Sequence, residues 1–112
     1  MAYDIYISNK AEQDLDEIYN YYLTEFSHSS AQKVIESLQS AISILEISPE
    51  GYVDFDDRVG RKLFPEGQLR MIPSKHFIVF YLIRQSRVDI LRIRSTKTDY
   101  LNDLENLFNN IL

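Results

Sequence analysis

Tyr3, Ile5 and Ile7 alternate with Asp4, Tyr6 and Ser8 at the start of the chain. That two-residue period predicts a short strand with one buried face. Asn9, Lys10, Ala11 and Glu12 follow in capping-box order, with Asn9 at the cap position and Glu12 reaching back. Ala11, Leu15, Ile18, Tyr22 and Phe26 then step by three or four residues, the inner stripe of a first helix. Ser27 to Ser30 break the stripe. Ser29 and Gln32 are positioned to cap a second helix, whose apolar residues are Ala31, Val34, Ile35, Leu38, Ala41, Ile42 and Leu45. Ser48-Pro49-Glu50-Gly51 terminates it. Two helices separated by a few polar residues predict an antiparallel hairpin.

Residues 51–67 have no clear period, with a short strand expected at residues 61–64. Residues 68–72 read as a strand and Pro73-Ser74-Lys75 as a turn. Residues 76–83 are nearly all apolar or aromatic, the pattern of a central strand covered on both faces. Gln85-Ser86 suits a tight hairpin into a last strand at residues 87–94. Leu101, Leu104, Leu107, Phe108, Ile111 and Leu112 predict a C-terminal amphipathic helix. This helix is too apolar to stay in water, so it docks on the chain's own sheet or on a second copy, which leaves a homodimer open. The order β-α-α-β-β-β-α predicts an α+β fold: an N-terminal strand, a helical hairpin packed on a small antiparallel sheet, and a C-terminal helix. A length of 112 residues fits one domain, residues 1–112, with one core.

Charge divides the molecule. Ten of the twelve basic residues lie in residues 58–97 with only Glu66 and Asp89, a formal +8. The first 57 residues hold Lys10 and Lys33 against twelve acids, a formal −10. The overall −5 therefore conceals a basic half able to attract anionic partners, which respond to local potential. Arg92 and Arg94, two apart, share a face of the last strand. If the helices cover the opposite face, both stand on an open surface, where Arg70 from a neighbouring strand joins them. The competing reading is a solvated charged face.

Other classes recede. No run of 18 apolar residues predicts a membrane span, and no basic-then-apolar leader predicts secretion. Cysteine is absent, which fits a cytoplasmic protein. Two histidines without cysteine exclude a standard zinc site. Asp54, Asp56 and Asp57 lack the glycine and glutamate of a calcium loop and read as a solvated loop. No Gly-rich nucleotide motif is present, so neither metal nor cofactor is expected.

Several segments, in their order, carry a family resemblance. They are Ile5-Tyr6-Ile7 with the helix from Ala11 to Tyr21, the stretch Ala31 to Leu45 with Pro49 and Gly51, and Arg70 to Tyr81. Val88 to Ile93, with Lys97, Asp99 and Tyr100, completes the set. Together they resemble the RelE/ParE family of bacterial type II toxin–antitoxin toxins over nearly the whole chain. The resemblance implies a cytoplasmic growth inhibitor neutralised by a cognate antitoxin. RelE-like members cut messenger RNA on the ribosome, and ParE-like members poison DNA gyrase. The segment Ile18-Tyr19-Asn20-Tyr21 in a long helical hairpin is closer to the ParE side. Ribonuclease members carry a cation where this chain has Ile78, and Arg or His after the last strand, where it has Ser95-Thr96-Lys97-Thr98.

The expected function is thus ParE-like inhibition of gyrase. The alternatives are a ribosome-dependent mRNA endoribonuclease, metal-independent if it is an enzyme, and a decayed toxin that only binds its antitoxin. RNA cleavage needs a base for the 2′-hydroxyl, an acid for the leaving oxygen and cations for the phosphorane. His76, Lys97 and Tyr100 are the residues for those roles, with Tyr81 a further donor. His76 reads first as a strand-start residue without a catalytic role. Arg70, Arg92, Arg94 and Lys97 are the candidate contacts to an antitoxin or to nucleic acid. The family often receives its antitoxin on that sheet face.

Overall fold

The structure, a computed structural model, describes residues 2–109. Strand β1 (Asp4–Ile7) leads into helices α1 (Asn9–Glu25) and α2 (His28–Ile44). A short 3-10 turn, Pro49–Gly51, precedes β2 (Val53–Asp54) and α3 (Phe55–Val59). Strands β3 (Gln68–Ser74), β4 (Phe77–Arg84) and β5 (Arg87–Ser95) come next, then a 3-10 turn, Tyr100–Asn102, and α4 (Leu104–Leu107). The sheet order is β1-β5-β4-β3-β2. β3, β4 and β5 form the expected antiparallel meander. β1 joins it in parallel beside β5, because the helical hairpin carries the chain across one face before the meander begins.

Local chemistry shifts several boundaries. Ser8, not Asn9, caps α1: its backbone is extended and its Oγ accepts from the Ala11 N–H at 3.1 Å. The same hydroxyl donates to the Leu91 carbonyl at 3.0 Å, tying the helix start to β5. Ser27, not Ser29 or Gln32, caps α2 by accepting from the Ser30 N–H. No strand forms at residues 61–64. Instead Asp54 caps α3 through the Asp57 N–H, and the Asp56 carboxylate accepts from the N–H groups of Leu63 and Leu69 at 3.2 Å each. Two of the three loop acids therefore hold backbone donors rather than standing free in solvent. Pro73 lies within β3, past the short reach of β2, where the strand has edge character. The turn is Lys75-His76, with Lys75 at φ 54°.

The sheet is covered on both faces. The helices pack Leu38, Ala41, Ile42 and Leu45 against Ile72, Val79, Tyr81, Ile83, Val88 and Ile90. The opposite face, expected to be open, carries a second core of Phe55, Leu69, Met71, Ile78, Phe80, Leu82, Leu91 and Leu107. Phe64, Tyr100, Leu104 and Phe108 pack around it. This arrangement accounts for the unbroken apolar run of β4, which is buried from both sides. The C-terminal segment docks on the chain's own sheet as two short turns rather than one helix. Leu101 stays 45% exposed while Leu107 is buried. Asn102, Asp103 and Asn106 turn their side chains onto local partners, a competition that disfavours a continuous helix. Ile111 and Leu112 lie outside the described residues. Among the described residues, no helix is long and apolar enough to cross a membrane.

Candidate functional site

β1 pairs with β5 only as far as Ile90, so the remainder of β5 presents an open edge. A register shift between Phe80 and Tyr81 inserts Leu91 as an extra residue in β5 and re-aims the rest of the strand. Helix α1 runs beside this edge, and Asp14 fills the place of the missing strand. Its Oδ2 accepts from the Ile93 N–H at 2.9 Å. The same carboxylate accepts from Arg92 Nε at 2.8 Å and Nη2 at 3.1 Å. Arg92 Nη1 donates in turn to the carbonyls of Leu107, at 2.9 Å, and Asn106, at 3.3 Å.

Arg92 is therefore not a surface contact. It is 8% exposed and Asp14 only 5%. It shares a sheet face with Arg94, as the i, i+2 spacing required, but that face is roofed by the C-terminal segment. Arg70 does not join them. It lies opposite Tyr81 on the helix side of the sheet, whereas Arg92 and Arg94 lie opposite Phe80 and Ile78 on the other. Its guanidinium donates to the Tyr52 carbonyl at 2.8 Å and to Gln68.

Between α1 and the open end of β5 lies a groove of about 530 Å³. Asp14, Glu17, Ile18, Tyr21 and Tyr22 form one wall. Positions i, i+3, i+4, i+7 and i+8 of a helix share one side, so this wall was readable as a stripe had its polar members been counted. Residues 93–98 form the other wall, with Arg94, Lys97 and three hydroxyl residues, and His76 and Phe77 close one end. His76 and Lys97 thus come to one place. The His76 carbonyl accepts from the Thr96 N–H at 2.8 Å, which fixes the β3–β4 turn beside the end of β5. Both side chains are exposed.

Tyr100 lies elsewhere. Its ring packs on Phe55 and Phe80, with centroids 5.8 and 5.4 Å away, and borders a small cleft of about 90 Å³ with Arg92 and Arg94. Tyr81 is fully buried and donates its hydroxyl to the Pro49 carbonyl at 2.6 Å. Burial pushes its phenol well above the ordinary value, so it is no proton donor to a surface substrate.

The basic half is partly self-neutralised. Asp89, also buried, takes Arg84 at 2.8 Å and Arg87 at 2.7 Å, and Arg87 stacks over the Tyr6 ring at 4.0 Å. With Arg92 on Asp14, three cations are thus committed to internal pairs. Arg94 and Lys97 take no part in the ion pairs among the described residues.

Solved structures with the same fold include the chromosomal ParDE toxin–antitoxin system from P. aeruginosa. It aligns with a TM-score of 0.68 at 19% identity, over 86% of this chain and 98% of that one. A doubly substituted E. coli toxin RelE in the free state aligns with a TM-score of 0.57 at 13% identity, over 92% and 93%. No curated protein matches the chain. The family described as "ParE toxin of type II toxin-antitoxin system, parDE" matches residues 5–100. That span takes in β1, the helical hairpin, the whole meander and the groove they enclose, and this chain belongs to the ParE toxin family of type II toxin–antitoxin systems.

Proposed function

We propose that this toxin arrests growth by ParE-like inhibition of DNA gyrase through surface contact, and that a cognate antitoxin neutralises it. The contact surface is the groove between α1 and β5, where Arg94, Lys97 and His76 supply positive charge beside exposed aromatic side chains. One observation carries the preference for inhibition over RNA cleavage. The acid and base that cleavage needs are not assembled: Tyr100 is packed into the aromatic core across the sheet, away from His76 and Lys97. Ile78, at the position where ribonuclease members carry a cation, is buried in that same core.

Expression without antitoxin should halt bacterial growth. Purified protein should inhibit gyrase supercoiling, and His76→Gln should leave the inhibition nearly intact. Reversing charge at Arg94 and Lys97 together should slow association with the partner, and the wild-type affinity should fall as salt rises. Messenger RNA mapped by primer extension should show no new codon-specific ends. Cuts at translating ribosomes that fall by ~10²-fold or more in His76→Gln, the usual scale for an acid–base group, would establish the ribonuclease instead. Antitoxin binding without growth arrest would mark a decayed toxin.

A further inference from the structure

We infer that the α1–β5 groove receives an extended polypeptide segment of mixed charge, in which an apolar side chain is flanked by a carboxylate on one side and a lysine or arginine on the other. The inference rests on the reading of the groove as a contact surface and names the chemistry of the segment that enters it. The two walls carry opposite charge. Asp14 is consumed by Arg92 and the Ile93 N–H, so the acid left on the helical wall is Glu17, which is exposed. The facing wall offers Arg94 and Lys97. Neither they nor Glu17 takes part in the ion pairs among the described residues.

A polyanion such as a nucleic-acid backbone would gain on one wall and be repelled by Glu17 on the other. A segment with both signs, in the right order, satisfies both. Ile18 and Phe77 give the groove an apolar component for a side chain between the charges. The apolar surface also continues past the groove along the end of the hairpin, where Tyr21 is 57% and Phe26 63% exposed and the two rings are in contact. That continuation favours an elongated occupant over a compact one. Tyrosine and arginine are also the side chains that most often anchor protein interfaces.

The test uses the full chain and a phage-displayed library of random twelve-residue peptides. Enriched peptides should carry an apolar residue between opposite charges. A synthetic copy, titrated against labelled protein, should shift amide resonances at Ile18, Phe77 and Ser95. The double variant Glu17→Lys/Arg94→Glu, checked for folding by its amide spectrum, should bind that peptide at least ~10-fold more weakly, about 1.4 kcal/mol. Panned afresh, it should select peptides with the charges in reverse order. Enrichment of uniformly charged peptides, shifts confined to other surfaces, or displacement of the peptide by a ten-residue oligothymidine would overturn the inference. Gyrase assays separate the peptide inference from the gyrase reading. If supercoiling is untouched while the peptide binds as described, only the gyrase reading falls. If the double variant inhibits gyrase as well as the wild type does, the peptide inference falls and the gyrase reading stands.

Discussion

Replacing Asp14 by alanine should be among the most damaging single changes in this molecule, although the residue sits in a helix that looks acidic and solvated from sequence. The carboxylate is 5% exposed and accepts from Arg92 Nε, Arg92 Nη2 and the Ile93 N–H. Its removal leaves a guanidinium that is itself 8% exposed without a counter-charge, and orphans a backbone donor on the open edge of β5. Breaking a buried pair from one side costs about 3–5 kcal/mol. A domain of this size has about 5–15 kcal/mol of stability in total. With a urea slope of about 1.5 kcal/mol/M, the midpoint should fall by about 2–3 M. Glu17→Ala, one turn along the same helix but exposed, should move stability by no more than about 0.5 kcal/mol. The double variant Asp14→Leu/Arg92→Met removes both charges, so it should lose less than Asp14→Ala alone. Urea unfolding monitored by circular dichroism measures all three. A loss below about 1 kcal/mol for Asp14→Ala, or a double variant worse than that single, would refute the assignment of a buried charge pair.

Leu38→Ala, at the centre of the α2 stripe and 1% exposed, should cost about 2–5 kcal/mol in the same assay. Gly67→Ala should destabilise by about 1–3 kcal/mol, because a Cβ there would lie 2.3 Å from the Ile83 carbonyl oxygen and force backbone to shift. Deleting residues 101–112 should uncover Phe55, Phe80 and Leu91 and promote aggregation, seen as loss of the monomer peak in size-exclusion chromatography. The Tyr81 phenol is held neutral by burial, with its pKa raised above the unfolded value. Its contribution should be fully present below about pH 10 and then decline with rising pH by up to about 1.4 kcal/mol per unit, a decline that Tyr81→Phe should abolish.

The hydrophobic period was enough to recover the order of the main elements. The stripes of α1 and α2, the alternation in β1 and the two-sided burial of β4 each arise from a spacing that admits one solution. The family resemblance was legible for the same reason, since it resides in the order of these segments. What the spacing could not decide was the cover of the second sheet face. Phe55, Phe64, Tyr100 and Phe108 come from separate irregular stretches, and only the closed fold brings their rings together. That cover reverses the meaning of Arg92: the i, i+2 rule placed it correctly beside Arg94, but whether their face meets water depends on contacts some ten to forty residues away in sequence. Asp14 shows the same limit. A helix arrays its charged residues by angle, yet which of them meets a buried arginine is set by where β1 stops pairing with β5 and leaves a backbone donor to satisfy. His76 and Lys97, twenty-one positions apart, share a groove because the β3–β4 turn and the end of β5 fall side by side in an antiparallel pair, joined by the hydrogen bond from the Thr96 N–H to the His76 carbonyl. Sequence determines the elements and the residues each can present, because those depend on local periodicity. The partners they meet are a property of the tertiary structure, because burial and charge pairing depend on which distant segments close over them.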